Sequence, residues 1–178
     1  MPAMQMGQEV HHTSATRARR STRLAMSLPI RVYAIDFKGT DFMEDSTTVV
    51  VNTHGAKIRL GHQLLPEQEI RIQSMKTGQE AIFRVVSRVG ALEDRFTYWG
   101  VECLSSGQNL WGIQFPEAGP DDQRSVRALL RCPICRHRET VFLDEPLLES
   151  ILELGGLLRG CLTCGRTGIW EQVPYTEA

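Results

Sequence analysis

The 178-residue sequence carries almost no net charge, no long apolar run and no motif of an established catalytic centre. A formal charge of −1 supplies no general attraction to nucleic acid or to an anionic membrane surface. No stretch approaches the roughly 20 apolar residues of a spanning helix, and the start lacks the charged-then-apolar pattern of a signal peptide. These absences predict no membrane insertion and a cytoplasmic, reducing setting. A nucleophile elbow, an HExxH pair, a phosphate-cradling glycine loop and a convincing carboxylate pair are all missing, so the chain reads as a non-enzyme. Also missing is any long helical stretch before residue 117, which excludes a parallel sheet built on crossover helices.

What is present is a series of short alternating segments. Ile30, Val32 and Ala34 alternate with polar or amphipathic neighbours, and Ala56, Ile58 and Leu60 alternate with Lys57 and Arg59. The same period recurs at Ile70–Ile72, Phe83–Val85, Trp99–Val101–Cys103 and Trp111–Ile113–Phe115. Turn chemistry separates them at Lys38-Gly39, Thr53-His54-Gly55, Leu65-Pro66-Glu67 and Lys76-Thr77-Gly78. Antiparallel strands with one buried face remain, and exposed edges are costly, so a small closed β-barrel is expected. The expected order is a flexible leader over 1–16, a barrel over 17–117, and a linker with a short helix over 118–130. A metal module over 131–172 and a tail over 173–178 complete it. Asp121 or Asp122 is expected to cap the linker helix over Ser125–Leu130. Cys103, in an apolar alternation, reads as a core residue.

Four of the five cysteines stand in two pairs, Cys132-Pro133-Ile134-Cys135 and Cys161-Leu162-Thr163-Cys164. Thiolates at this spacing aim two sulfurs at one point from each turn, and two such turns close a tetrahedron around zinc. The shell is then full, so the metal is structural. Between the pairs, Thr140 and Phe142 suggest a strand. Asp144-Glu145-Pro146 suggests a helix start, and Leu147, Leu148, Ile151, Leu154 and Leu158 form an apolar stripe that Gly155-Gly156 ends. A module this small needs its metal to fold, and the sequence predicts that it melts separately from the barrel.

Arginines 17, 19, 20 and 23 crowd the segment before the first strand. Guanidinium groups grip phosphate bidentately and can engage a guanine edge, although such a cluster is also an ordinary solvated basic tail. The order of features resembles the PilZ domain family. Its marks here are Arg19-Arg20-Ser21-Thr22-Arg23, then Val51-Asn52-Thr53-His54-Gly55-Ala56, then Trp99-Gly100-Val101-Glu102-Cys103, and the likeness covers residues 17 to 117. It implies a six-stranded barrel acting as a cytoplasmic receptor for cyclic di-GMP. Arg19 and Arg23 would hold the ligand's phosphates and guanine edges, with Arg20 a neighbouring contact or a bystander. The second motif departs from the family: Val50 occupies the acidic position and Asn52 the serine position, while Gly55 is kept, as a turn needing positive φ would require. Asn52 can donate and accept in place of serine. His54 either stacks on a base or is a solvated turn residue.

The leading expectation is therefore a non-catalytic cyclic di-GMP receptor that signals to an unidentified protein partner. A rival is a protein-interaction module on a degenerate barrel, with the leucine stripe in its interface. A nucleic-acid-binding zinc ribbon ranks third. From Arg131 onward five arginines face seven acidic residues, not the concentrated basic surface that phosphate contacts need.

Overall fold

A computed structural model describes residues 21–92, 96–105 and 107–175, apart from the side chains at 91, 92 and 123. The expected leader, Arg19 and Arg20 lie outside the described residues, as do positions 176–178. Six strands form the barrel: β2 (Pro29–Ile35), β3 (Asp41–Asn52), β4 (Gly55–Leu60), β5 (Glu69–Ser74), β6 (Glu80–Leu92) and β7 (Phe96–Cys103). They pair in the ring β3-β2-β5-β6-β7-β4 and close through β3–β4, antiparallel throughout. The closed antiparallel barrel is the architecture the alternation predicted. Its interior is filled by inward residues such as Ile30, Val32, Ile58, Ile72, Phe83 and Trp99.

Two segments differ from expectation. Trp111–Phe115 is not a strand; it crosses the barrel as irregular chain, with Trp111 buried and Ile113 and Phe115 partly buried against the core. Its alternation reflects packing of one side on the barrel, with no partner strand for its backbone. Cys103 is only partly buried against that core. Conversely, β3 escaped notice because its first half is acidic and exposed, and its second half, Val49-Val50-Val51, is buried throughout. Val51 belongs to the barrel core, whereas Val49 and Val50 belong to a second core outside it. A strand covered on both faces loses the two-residue period.

The second core is formed by the cysteine-bearing tail. The linker holds a short 3₁₀ turn, Pro120–Gln123, and the expected helix over Ser125–Leu130 is instead the strand β8 (Val126–Arg131). Strand pairing decides this: β8 bonds to β9 (Arg138–Leu143), to β11 (Thr167–Val173) and, in parallel, to β1 (Leu24–Ala25). Asp122 does bond a linker backbone N–H, that of Gly119 at 2.7 Å, and it accepts a fork from Arg127 of β8. The helix α1 (Glu145–Leu154) follows β9 as expected. Asp144 accepts the Leu147 N–H at 3.0 Å, and Gly155 ends the helix at φ 73°. Of the leucine stripe, Leu148 and Ile151 are buried; Leu147, Leu154 and Leu158 are exposed. β10 (Gly156–Gly160) then pairs with β11. Among the described residues no helix is long and apolar enough to cross a membrane.

β1 joins the halves. Leu24 pairs with Val51 of β3 and with Arg127 of β8, and Ala25 pairs with Val50. Leu24 points into the barrel core and Ala25 into the second core, where Val49, Val50 and Tyr98 of the barrel meet Leu130, Leu148, Ile151 and Trp170 of the tail. Two separately melting units do not fit a shared core. Truncating the fully buried Trp170 to Ala should cost about 3–5 kcal/mol. Thermal melts followed by far-ultraviolet circular dichroism and by fluorescence of Trp99 and Trp111 are expected to shift down together; a shift confined to the tail would contradict the shared core.

Candidate functional site

The segment before β1 and the β3–β4 turn are distant in sequence, yet the β1–β3 pairing brings them to opposite sides of one cleft. This cleft has a volume of about 410 Å³ and is lined in part by Arg23, Asn52, His54, Gly55, Lys57 and Glu145. That size falls within the roughly 300–1,000 Å³ usual for small-molecule sites. Arg23 is half-buried, and its carbonyl accepts the Arg127 N–H of β8 at 2.8 Å, so the tail sheet fixes its main chain. Just before it, the Thr22 hydroxyl donates to the Pro116 carbonyl at 2.8 Å. Four of the six residues expected to contact ligand are thus assembled; Arg19 and Arg20 lie outside the described residues.

The turn is held from both sides. The Asn52 side-chain oxygen accepts the His54 N–H at 2.8 Å, and the Asn52 carbonyl accepts the Trp111 indole N–H at 3.1 Å. Asn52 therefore uses one of its side-chain acceptor sites on its own turn. His54 is exposed at the tip. Gly55 is required for a reason other than positive φ, since its backbone is not in the left-handed region. A Cβ there would sit 2.1 Å from the Val101 carbonyl oxygen, across the β4–β7 pairing. Val50, at the position where the resemblance places an acid, is 2% exposed and packs in the second core. A carboxylate there would be buried against hydrocarbon.

Lys57 and Glu145 were not singled out from sequence. Lys57 alternates with Ala56 and Ile58, which reads as a solvent-facing position, but the tail covers that face. Its ammonium donates to the Glu145 carboxylate at 2.7 Å and stands 5.3 Å from the Tyr98 ring centre. The Lys57 side chain is 7% exposed and that of Glu145 42%. No local pattern could reveal a pair whose members lie on β4 and at the first turn of α1.

A larger cleft, about 750 Å³, is lined by Thr53 and His54 of the same turn, and His54 also lines the smaller cleft. Trp111 and Phe115 line it, and among the described residues that line it there is no lysine or arginine. The smaller cleft sets Arg23 and Lys57 against Glu102 and Glu145.

The four tail cysteines converge at the tips of two hairpins of one design. In the first, Arg131 pairs with Arg138 across the Cys132–Cys135 turn; in the second, Gly160 pairs with Thr167 across Cys161–Cys164. The Cys132 N–H donates to His137 O and the Cys161 N–H to Arg166 O, each at 2.8 Å. The residue after each second cysteine is left-handed, Arg136 at φ 64° and Gly165 at φ 68°. Every pair of sulfurs lies within 4.8 Å; Cys132 and Cys164 are 4.0 Å apart, and Cys135 and Cys161 3.6 Å. Metal–sulfur bonds of about 2.3 Å give a tetrahedron with edges of about 3.8 Å, so the four sulfurs suit one metal ion. His137 is exposed, with its ring edge-on to Trp170, and is not part of the cluster.

The thiols resist sharing charge without a cation. Burial raises the Cys161 thiol, but the backbone N–H groups of Cys164 and Thr163 and the neighbouring sulfurs outweigh it and hold the thiol at about 6. The backbone at His137 draws the Cys135 thiol down, yet burial and three sulfur neighbours push it up to about 12. One sulfur ionises at its neighbour's expense, and a divalent ion removes the conflict.

Metal analysis of purified protein should give one equivalent per chain. Because binding needs thiolates, retention is full at neutral pH and is lost as the pH falls and protons displace the metal. Cys161→Ser should abolish binding and lower the melting temperature of the barrel as well. Gly55→Ala forces a backbone contact apart and should cost about 1–3 kcal/mol or more in a denaturant titration; an unchanged midpoint would contradict the close approach.

The chain's sequence matches no protein-family model and no curated protein.

Proposed function

We propose that this chain is a non-catalytic receptor or adaptor of the PilZ type, taking cyclic di-GMP in the smaller cleft and carrying structural zinc in its tail. The convergence of Arg23, Asn52, His54 and Gly55 on that cleft is the observation that carries the reading. Arginine supplies the forked, permanently charged donor that a phosphodiester requires, and the Asn52 amide adds a neutral N–H donor among the lining residues. Arg19, four residues before Arg23, would add a second guanidinium. A buried Val50 supplies no polar contact. Losing one neutral hydrogen bond costs about 0.5–1.5 kcal/mol, so affinity falls by roughly tenfold or less and is not abolished. Four thiolate donors at tetrahedral edges support zinc as the ion, and a filled shell would leave no position for an activated water. Ligand binding would change the surface offered to a partner protein in the cytoplasm.

A second reading, protein interaction without nucleotide, draws on the exposed apolar residues of the tail. Leu158 and Ile169 are cross-strand neighbours, both more than half exposed, and Leu162 is wholly exposed at a hairpin tip. Binding of a partner that ignores nucleotide would favour it.

Titration calorimetry of metal-replete protein with cyclic di-GMP tests the first reading. Heat is expected, with affinity that weakens as salt rises. Arg23→Ala should weaken binding at least about tenfold, with its circular dichroism spectrum preserved. Silence on the order of tens of micromolar ligand would falsify the receptor assignment.

A further inference from the structure

The four sulfurs of the tail belong to two hairpins, and their close contacts cross from one hairpin to the other. We propose that this cluster is also an oxidation site, at which a hydroperoxide joins Cys135 to Cys161 as a disulfide and so empties the metal centre. Nucleotide binding plays no part in it.

Exposure singles out the point of entry. Cys135 is exposed and Cys164 half-buried, whereas Cys132 and Cys161 are 1% and 3% exposed. An oxidant arriving from solvent therefore meets Cys135 first. Distance then names the partner: Cys135 Sγ stands 3.6 Å from Cys161 Sγ in the other hairpin, and Cys132 Sγ stands 4.0 Å from Cys164 Sγ in the same crosswise fashion. A bridge from Cys135 to Cys161 follows the existing contact and needs little movement of either turn.

The thiolate is the form of cysteine that attacks peroxide, and a bound divalent ion would keep the sulfurs in that form. The Cys135 sulfur attacks one peroxide oxygen and the O–O bond breaks, giving a sulfenic acid while the second oxygen leaves as hydroxide or alkoxide. The Cys161 thiolate then attacks the sulfenic sulfur, forms the S–S bond and expels hydroxide. Two protons from solvent neutralise the two leaving oxygens. Two electrons have passed from the sulfur pair to the peroxide. Cys132 and Cys164 are then the only thiolates left, too few to retain the ion. One bridge stands where four metal–sulfur bonds would be, and the hairpin tips loosen. The change reaches the barrel, because Cys132 and Cys161 pack in the same core as Val49, Val50 and Tyr98.

Hydrogen peroxide added to the full, metal-loaded chain tests this. Thiols are blocked with an alkylating reagent, peptides are mapped without reduction, and freed metal is read with a chromogenic chelator. A Cys135–Cys161 bridge is expected, with one ion released per bridge and Cys103 still a free thiol. Cys135→Ser would remove a metal ligand together with the nucleophile, so the control variant is Cys103→Ser, in which the same bridge should form at the same rate. Any other first bridge, including one within a single turn, would overturn the assignment. So would a bridge that requires Cys103, a bridge that leaves the ion in place, or peroxide treatment that yields no bridge at all.

Discussion

The two-residue strand β1 is the constraint on which the rest of the structure depends. Its hydrogen bonds run to β3 on one side and to β8 on the other, and its two side chains enter different cores. A strand this short has little stability of its own. It persists because each neighbouring sheet satisfies part of its backbone and because Leu24 and Ala25 are almost completely buried. The Gln172 side chain adds a bond to the Ala25 carbonyl at 2.7 Å, tying β11 to the same point. Barrel and tail are thus registered against one another by a single short element. The side chain immediately before it, Arg23, inherits that registration.

The same arrangement explains the altered turn motif. An acid at position 50 would require water or a donor on the outer face of β3, and the tail occupies that face with Leu130, Leu148 and Trp170. Burying an unpaired carboxylate is far more costly than losing a single ligand contact. Docking the tail therefore makes Val50 a packing residue. Polar groups reappear at the rim of the contact, as the Lys57–Glu145 pair.

Most of the architecture could be read from the sequence wherever one face of an element is wet. β2, β4 and β5 announced themselves by alternation, and α1 by its Asp144 cap, Pro146 and Gly155 stop, because each signal is local. The cysteine cluster was equally visible, since its spacing encodes its geometry. Readings failed where a second layer intervened. β8 alternates too weakly to be told from a helix when three of its consecutive residues, Ala128–Leu130, are buried. The Val49–Val51 run hid a strand, and Lys57 looked solvated until the tail was laid over it. Gly55 was recognised as necessary for the wrong reason, because approach of the Val101 carbonyl is a tertiary fact. Trp111–Phe115 shows the converse error: a two-residue period records burial on one side, and only a partner's backbone makes a strand.

Closure of the barrel has a last consequence, for how copies of this chain could stick together. A closed ring gives each of its six strands a neighbour on both sides, so among the described strands those with a single partner strand are β9 and β10, both in the tail. β10 is five residues long and begins and ends with glycine, which makes it a poor template for an incoming chain. A metal ion held by the four sulfurs would further brace the hairpin that carries β10. Stripping such an ion, or oxidising its sulfurs, would loosen those margins and open their backbone to pairing with another copy.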